Sequence, residues 1–152
     1  LEAHGYGGTP MQAAIAQAAH VIAEWSDTHP SSFPATVLHI TDGESNDGDP
    51  ENNAEVLRSL TTQDGATLLY NIHVTDENVE PLRFPRSEDE LPDAYAEMIF
   101  RMSSTFPQHV RDYARDAYGI TLAPEARAMV LNAEADDLVK FVDIGSRPAG
   151  MR

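Results

Sequence analysis

The chain has 152 residues, which is enough for one domain with a substantial core, and 41% of them are hydrophobic, as in globular proteins. The formal net charge of −15 argues against nucleic acid and anionic membrane as partners, because both attract basic surfaces. There is no cysteine, which excludes a disulfide framework and thiolate chemistry, and no apolar run approaches the roughly 20 residues of a spanning helix.

The first predicted element is an amphipathic helix over residues 11–25, in which apolar side chains recur at spacings of three and four. Thr9 stands at an N-cap position in front of it, and Pro10 stands at the first helical position. A nearly continuous apolar run over residues 35–41 then ends in Asp42 and Gly43. Such a run predicts a central parallel strand that is covered on both faces.

The middle of the chain is less regular. Residues 44–53 form an acidic loop rich in asparagine and glycine, and residues 55–60 are helical. Residues 66–74 are apolar and predict a second strand. Residues 75–92 contain three prolines and predict a long irregular stretch.

Towards the carboxyl terminus the pattern alternates again. Helices are predicted over residues 93–102 and 110–117, the second capped by Gly119, followed by a strand over 127–132 and a helix over 136–144. Strands that alternate with helices predict an α/β fold, a doubly wound parallel sheet with helices on both faces. Ligands of such sheets bind outside the carboxyl ends of the strands.

Thr9 and Asp42 both fall in loops at this end of the predicted sheet, close to Gly8, Gly43 and Glu44. A hydroxyl and a carboxylate are oxygen ligands of the kind that Mg²⁺ prefers, and their oxygens should then lie within about 8 Å of each other. Each residue also has a purely structural explanation. Thr9 would cap its helix, and Asp42 with Gly43 would form the turn that leaves the strand.

The two loops resemble the metal-ion-dependent adhesion site of von Willebrand factor A (VWA) domains. Thr9 matches the threonine of that site's second loop, and Asp42 matches the aspartate of the third. The first loop, Asp-x-Ser-x-Ser, does not occur in these residues. The resemblance therefore implies that residues 1–152 are the C-terminal portion of one VWA-like domain, with strands 4-5-6 of the family's order 3-2-1-4-5-6.

The resemblance implies a metal-dependent protein–protein interaction module rather than an enzyme. Thr9 and Asp42 would hold Mg²⁺ or Mn²⁺ in a site that this chain leaves incomplete, and a partner protein would add an acidic side chain. The implied role is that of a bacterial adaptor or regulatory domain in the cytoplasm. Because the chain starts at Leu1 rather than Met, we expect a truncated N-terminus. The strand over residues 35–41 would then have an open edge, which favours self-association.

Other functions have weaker support. A metal-dependent hydrolase or phosphotransferase on a similar sheet would use Asp42 as a ligand, with only Glu44 placed as a base. A degenerate VWA module would bind partners without metal. Asp47 and Asp49 do not fit the calcium-loop pattern and predict a solvated acidic rim. His39 and His73 lie inside predicted strands and have structural roles there.

Overall fold

The computed structural model describes residues 8–75 and 79–147, which form helices around a four-stranded sheet of order β1-β4-β6-β5. The helices are α1 (Met11–Thr28), α2 (Glu51–Ser59), α3 (Ala94–Met102), α4 (Gln108–Tyr118) and α5 (Ala135–Gly145). The strands are β1 (Thr36–Thr41), β2 (Thr61–Thr62), β3 (Gly65–Ala66), β4 (Leu68–His73), β5 (Leu82–Arg83) and β6 (Met129–Leu131). One turn of 3₁₀ helix covers Glu88–Glu90.

The three predicted strands share one parallel sheet, in chain order. β1 pairs with β4 from Thr36 opposite Leu68 to Thr41 opposite His73. β4 pairs with the shorter β6, where Ile72 lies opposite Val130. This part of the sequence prediction is confirmed, and the carboxyl ends of all three strands lie at the same edge of the sheet.

The fourth strand of this sheet was missed in the sequence. β5 lies antiparallel to β6, with Arg83 opposite Val130, so the sheet is mixed rather than purely parallel. The prediction of an irregular stretch is wrong at these two residues, because a strand of two residues is too short to show an alternating pattern. Arg83 also forms an ion pair with Asp137 of α5, with a distance of 2.5 Å from Nε to Oδ1, which fixes β5 at this edge.

Helices cover both faces of the sheet. On one face α1, α2 and α3 pack against β4 and β6 around one apolar cluster. Its members include Met11, Ile15, Ile22, Leu57, Leu69, Ile99, Met102 and Met129. On the other face α4 and α5 enclose a second cluster with several aromatic rings. Its members include Tyr70, Ile72, Phe106, Val110, Val130, Phe141 and Ile144.

Several predicted boundaries differ from the structure. The helix predicted at 55–60 already begins at Glu51, after Pro50 as N-cap. The strand predicted at 66–74 is divided, because Ala66 pairs with Thr61 in the β2–β3 hairpin. The helix predicted at 136–144 extends to Gly145, its last residue, where a Cβ would meet Cε2 of Tyr70 at 2.7 Å. Gly119, by contrast, caps α4 in the left-handed conformation as predicted.

Within the described residues, β1 is an edge strand of the sheet. The carbonyls of Ala35 and Thr41 accept hydrogen bonds from the strand side of β4, and backbone groups alternate in direction along a strand. The N–H and C=O groups of Thr36, Leu38 and Ile40 therefore point away from β4. No strand in the described part of the chain pairs with them, and the Ile40 side chain is 49% exposed.

Candidate functional site

The two loops that were predicted to meet lie against each other beyond the carboxyl end of β1. Thr9 Oγ1 is 3.2 Å from the position that a Cβ on Gly43 would occupy. The backbone N–H of Asn46 donates to the carbonyl of Thr9 at 3.0 Å. Gly8 is as closely packed, because a Cβ there would fall 1.8 Å from Nδ2 of Asn46. Thr9 is half-buried at this junction.

Thr9 does not cap α1, so that structural prediction is wrong. The N-cap position is Pro10, which has no side-chain hydrogen bond to offer. Asp47 instead reaches across from the other loop and accepts hydrogen bonds from the N–H groups of Gln12 at 2.9 Å and Ala13 at 2.8 Å. A carboxylate at a helix N-terminus is also favoured by the helix dipole. Asp47 is therefore a structural cap rather than part of a solvated rim.

The charge of Asp47 is stabilised by these contacts. Partial loss of water acts to raise the pKa of Asp47, but hydrogen bonds from Ala13, Gln12 and the Ser45 hydroxyl outweigh it and hold the pKa below its ordinary value. Gly48 completes the fit, since its φ is +127° and a Cβ there would meet Oε1 of Gln12 at 2.1 Å. The loop over 44–49 and the start of α1 thus form one unit.

The turn around Asp42 is held from two sides. The hydroxyl of Thr41 donates to the carbonyl of Gly43 at 2.8 Å. The hydroxyl of Tyr95, from the first turn of α3, donates to the same carbonyl at 3.2 Å. Because both neighbours of Asp42 are anchored, the backbone that carries its carboxylate is fixed in position.

The side chains of Thr9 and Asp42 are not used by these structural contacts. Within residues 8–75 and 79–147, neither side chain forms a hydrogen bond or an ion pair, and the same is true of the exposed Glu44. Thr41, Ser45 and Asp47 in the same loop all have protein partners. The free donors are all oxygens, the ligand type that suits Mg²⁺ or Mn²⁺.

Several carboxylates surround Tyr95 at this end of the sheet. Burial raises the pKa of Tyr95 to about 12, and the carboxylates of Glu44, Asp93 and Asp42 add to the shift because they repel a phenolate. A cleft of about 390 Å³ lies beside the loop and is lined by Glu44, Asp93 and Tyr95, among others. Such a cleft attracts cations.

The protein supplies only part of a coordination shell here. In the ranges that the structure describes, no three histidine, aspartate or glutamate side chains are grouped to hold an ion. One carboxylate and one hydroxyl fit a magnesium site in which waters or a partner's oxygens fill the remaining positions, because Mg²⁺ keeps several waters in proteins. The oxygens of Thr9 and Asp42 therefore fit Mg²⁺ as ligands, and most of its coordination positions are left for water or a partner.

The two histidines in strands have structural contacts, as predicted. His39 bonds Asn71 in the neighbouring strand at 2.9 Å. His73 accepts a long hydrogen bond of 3.4 Å from the N–H of Asn132, and its ring packs edge-on against Tyr95. In both rings Nδ1 is engaged by these contacts.

Sequence reasoning missed Asp47 and Tyr95. The spacing of 35 residues between Asp47 and Gln12 hides a cap that is formed across two loops. Tyr95 lies in the first turn of a helix whose own N-cap, Asp93, accepts from the N–H of Ala96 at 2.8 Å. Asp93 was a visible signal for that helix start, but nothing in the sequence indicated that Tyr95 would reach Gly43.

Comparison with known proteins returns no relative. No protein-family model matches the chain, and neither a curated protein nor a solved structure matches it. Among the helices of the described segments, none is both long and apolar enough to cross a bilayer.

Proposed function

We propose that the chain is a metal-dependent protein–protein interaction module whose ion is held by Thr9 and Asp42. The observation that carries this proposal is a division of roles within one loop. Thr41, Ser45 and Asp47 are used to fix the loop, whereas the side chains of Asp42 and of the adjoining Thr9 have no partner among the described residues. Oxygen donors that are positioned but unused are suited to an exchangeable cation.

The charge of this donor set explains why such a site would bind another protein. A bound Mg²⁺ or Mn²⁺ would act as a Lewis acid for one further oxygen ligand. Asp42 contributes one negative charge and Thr9 contributes none, so the ion together with these two ligands would keep a net positive charge. An acidic side chain of a partner protein is the ligand that such a site favours.

The finer assignment rests on the resemblance in the sequence. The parallel order of β1, β4 and β6 and the helices on both faces are compatible with the C-terminal portion of a doubly wound VWA domain. The meeting of the Thr9 and Asp42 loops supports the same assignment. Within this proposal the chain serves as an adaptor or regulatory domain of the bacterial cytoplasmic type.

Manganese provides a direct test with the chain as it is. Paramagnetic Mn²⁺ should broaden the amide NMR signals of residues 9, 42 and 43 at low occupancy, and excess Mg²⁺ should restore them. Asp42→Asn should abolish the broadening at these residues. Asp64→Asn is the matched control, because it removes one carboxylate from the turn between β2 and β3.

The result can also contradict the proposal. Broadening that spreads over the acidic surface, or that responds equally to Asp42→Asn and Asp64→Asn, would show only the attraction of a cation to a chain with a net charge of −15. The metal-dependent function would then be abandoned.

A further inference from the structure

Two arginines converge on one backbone carbonyl at the far end of α3. Nη1 of Arg127 donates to the carbonyl of Ser103 at 2.9 Å, and Nη1 of Arg58 donates to the same oxygen at 3.4 Å. The two Nη1 atoms are therefore no more than about 6.3 Å apart. Two guanidinium groups this close repel each other, and their proximity in an acidic protein requires an explanation.

Among the described residues, neither guanidinium has a carboxylate partner. Other arginines in the same ranges do form ion pairs, namely Arg83, Arg86, Arg101, Arg115 and Arg147. For Arg58 and Arg127 no carboxylate of the described residues lies within 4 Å. Burial lowers the pKa of Arg58, and the charge of Arg127 lowers it further, while Glu55 partly offsets this from a longer distance. Within the described residues, the positive charge of the pair is therefore only partly compensated.

The surrounding structure holds both side chains in place. The guanidinium of Arg127 lies over the ring of Phe100, 5.0 Å from the ring centroid. The backbone N–H of Arg127 donates to the carbonyl of Pro85 at 2.9 Å. Nε of Arg58 reaches the carbonyl of Ala54 at 3.4 Å. The remaining N–H groups of both side chains meet no acceptor in the part of the chain that the structure describes. These N–H groups are already held in place, so an anion could bind to them without a rearrangement of the two side chains.

A helix C-terminus attracts cations, and one arginine at Ser103 satisfies that preference. A second arginine on the same carbonyl adds repulsion and only a long hydrogen bond. We propose that Arg58 and Arg127 form a binding site for a phosphate-class oxyanion, which bridges the two guanidinium groups. A phosphate dianion carries more negative charge and more acceptor oxygens than a carboxylate, and planar arginine forks bind it in a bidentate manner.

This site is separate from the proposed metal site. Tyr95, which holds the Asp42 turn, lies in the first turn of α3, and Ser103 caps its other end. A nine-residue helix is about 13 Å long, so the two sites lie at opposite ends of the sheet. Failure of one proposal therefore leaves the other intact.

The test is a titration with inorganic phosphate at constant ionic strength, with chloride replaced step by step. The side-chain Nε–H signals of Arg58 and Arg127 should shift and saturate together. Arg58→Gln and Arg127→Lys should each weaken phosphate binding about tenfold or more. The first variant removes the charge, and the second keeps the charge but loses the planar guanidinium that donates two hydrogen bonds in parallel. Thermal unfolding of each variant shows whether it is folded, and the direct shifts in the unmodified chain need no variant.

Arg111 provides the matched control. It too lacks a carboxylate within 4 Å among the described residues, but it donates to the carbonyl of Phe106 without a second arginine there. Arg111→Gln should leave phosphate binding unchanged. Unsaturated shifts, an equal loss in Arg111→Gln, or equal binding of glutamate would overturn the proposal.

A parallel titration with O-phosphoserine distinguishes the sources of the ligand. Binding at least as tight as that of inorganic phosphate indicates a phosphoryl group on a larger molecule. Preference for inorganic phosphate indicates the free ion. Both results support the site, and saturable binding of neither ion would overturn it.

Discussion

Nδ1 of His39 donates a hydrogen bond of 2.9 Å to Oδ1 of Asn71, which lies directly opposite it in β4. The direction follows from the next link, since the Asn71 amide nitrogen donates to the Ser103 hydroxyl at 2.8 Å and its oxygen must accept. Ser103 in turn donates to the carbonyl of Ile99 at 2.7 Å. A polar chain thus runs from the outermost strand β1 to the end of α3, and Asn71 and Ser103 within it are fully buried.

This relationship makes stability depend on pH. Burial lowers the pKa of His39 below its ordinary value of 6.5, although the hydrogen bond to Asn71 partly offsets the shift. The unfolded chain therefore binds a proton at a higher pH than the folded chain does. Neutral His39 makes its full contribution to the free energy of unfolding above pH 6.5. This contribution is lost as the pH falls towards the lowered pKa, and the free energy of unfolding then changes by up to about 1.4 kcal/mol per pH unit.

Urea unfolding of the chain and of His39→Gln between pH 4.5 and 8 measures this effect. All other titrating groups are common to the two proteins, so the difference in unfolding free energy isolates His39. The difference should be constant above pH 6.5 and should shrink below it. A difference that grows on acidification would contradict the assignment of a neutral, half-buried histidine.

Loss of the cap that joins the two loops should be measurable as loss of stability. Asp47→Ala leaves the N–H groups of Gln12 and Ala13 without their acceptor. Loss of an acceptor at a helix N-terminus lowers the free energy of unfolding. Asp27→Ala is the control, because it removes an exposed carboxylate near the other end of α1, where a negative charge is unfavourable. Thermal unfolding should show a lowered midpoint for Asp47→Ala alone.

The hydroxyl of Tyr95 should affect metal binding without touching the ion. Tyr95→Phe removes the 3.2 Å hydrogen bond to the carbonyl of Gly43 and should cost about 0.5–1.5 kcal/mol of stability. The freed turn should also weaken the Mn²⁺ response at residue 42. Tyr118→Phe, which loses its hydrogen bond to Asp143 in another part of the molecule, should leave that response intact. An unchanged response in both variants would mean that Tyr95 does not position the turn.

Gly43→Ala tests the contact between the two loops. The new methyl group would lie 3.2 Å from Oγ1 of Thr9, closer than ordinary packing allows, so Thr9 must move. Mn²⁺ binding should weaken while the fold persists, because Gly43 lies outside the two core clusters. Titration followed by NMR gives the affinity, and circular dichroism checks the fold. Unchanged affinity would place Thr9 outside the coordination shell.

The features that the sequence predicts are those with a local pattern. β1 and β4 are found as continuous apolar runs, and the alternation of strands with helices predicts their parallel order. The meeting of Thr9 with the Asp42 turn follows from the general rule that such loops gather at the carboxyl ends of strands. β5 and the Asp47 cap escape prediction for different reasons. The strand has only two residues, and the cap joins positions that are distant in the chain.

The two edges of the sheet are unequal, and this sets a limit on growth by strand addition. β5 offers only two residues at its edge, one of them the charged Arg83. β1 offers a six-residue strand without a charged carboxylate or ammonium group. A head-to-tail filament needs two compatible edges on every copy, whereas a single usable edge permits one closed pair and then stops. In the part of the chain that the structure describes, the sheet therefore has one edge suited to strand addition, which favours a closed pair over a fibre.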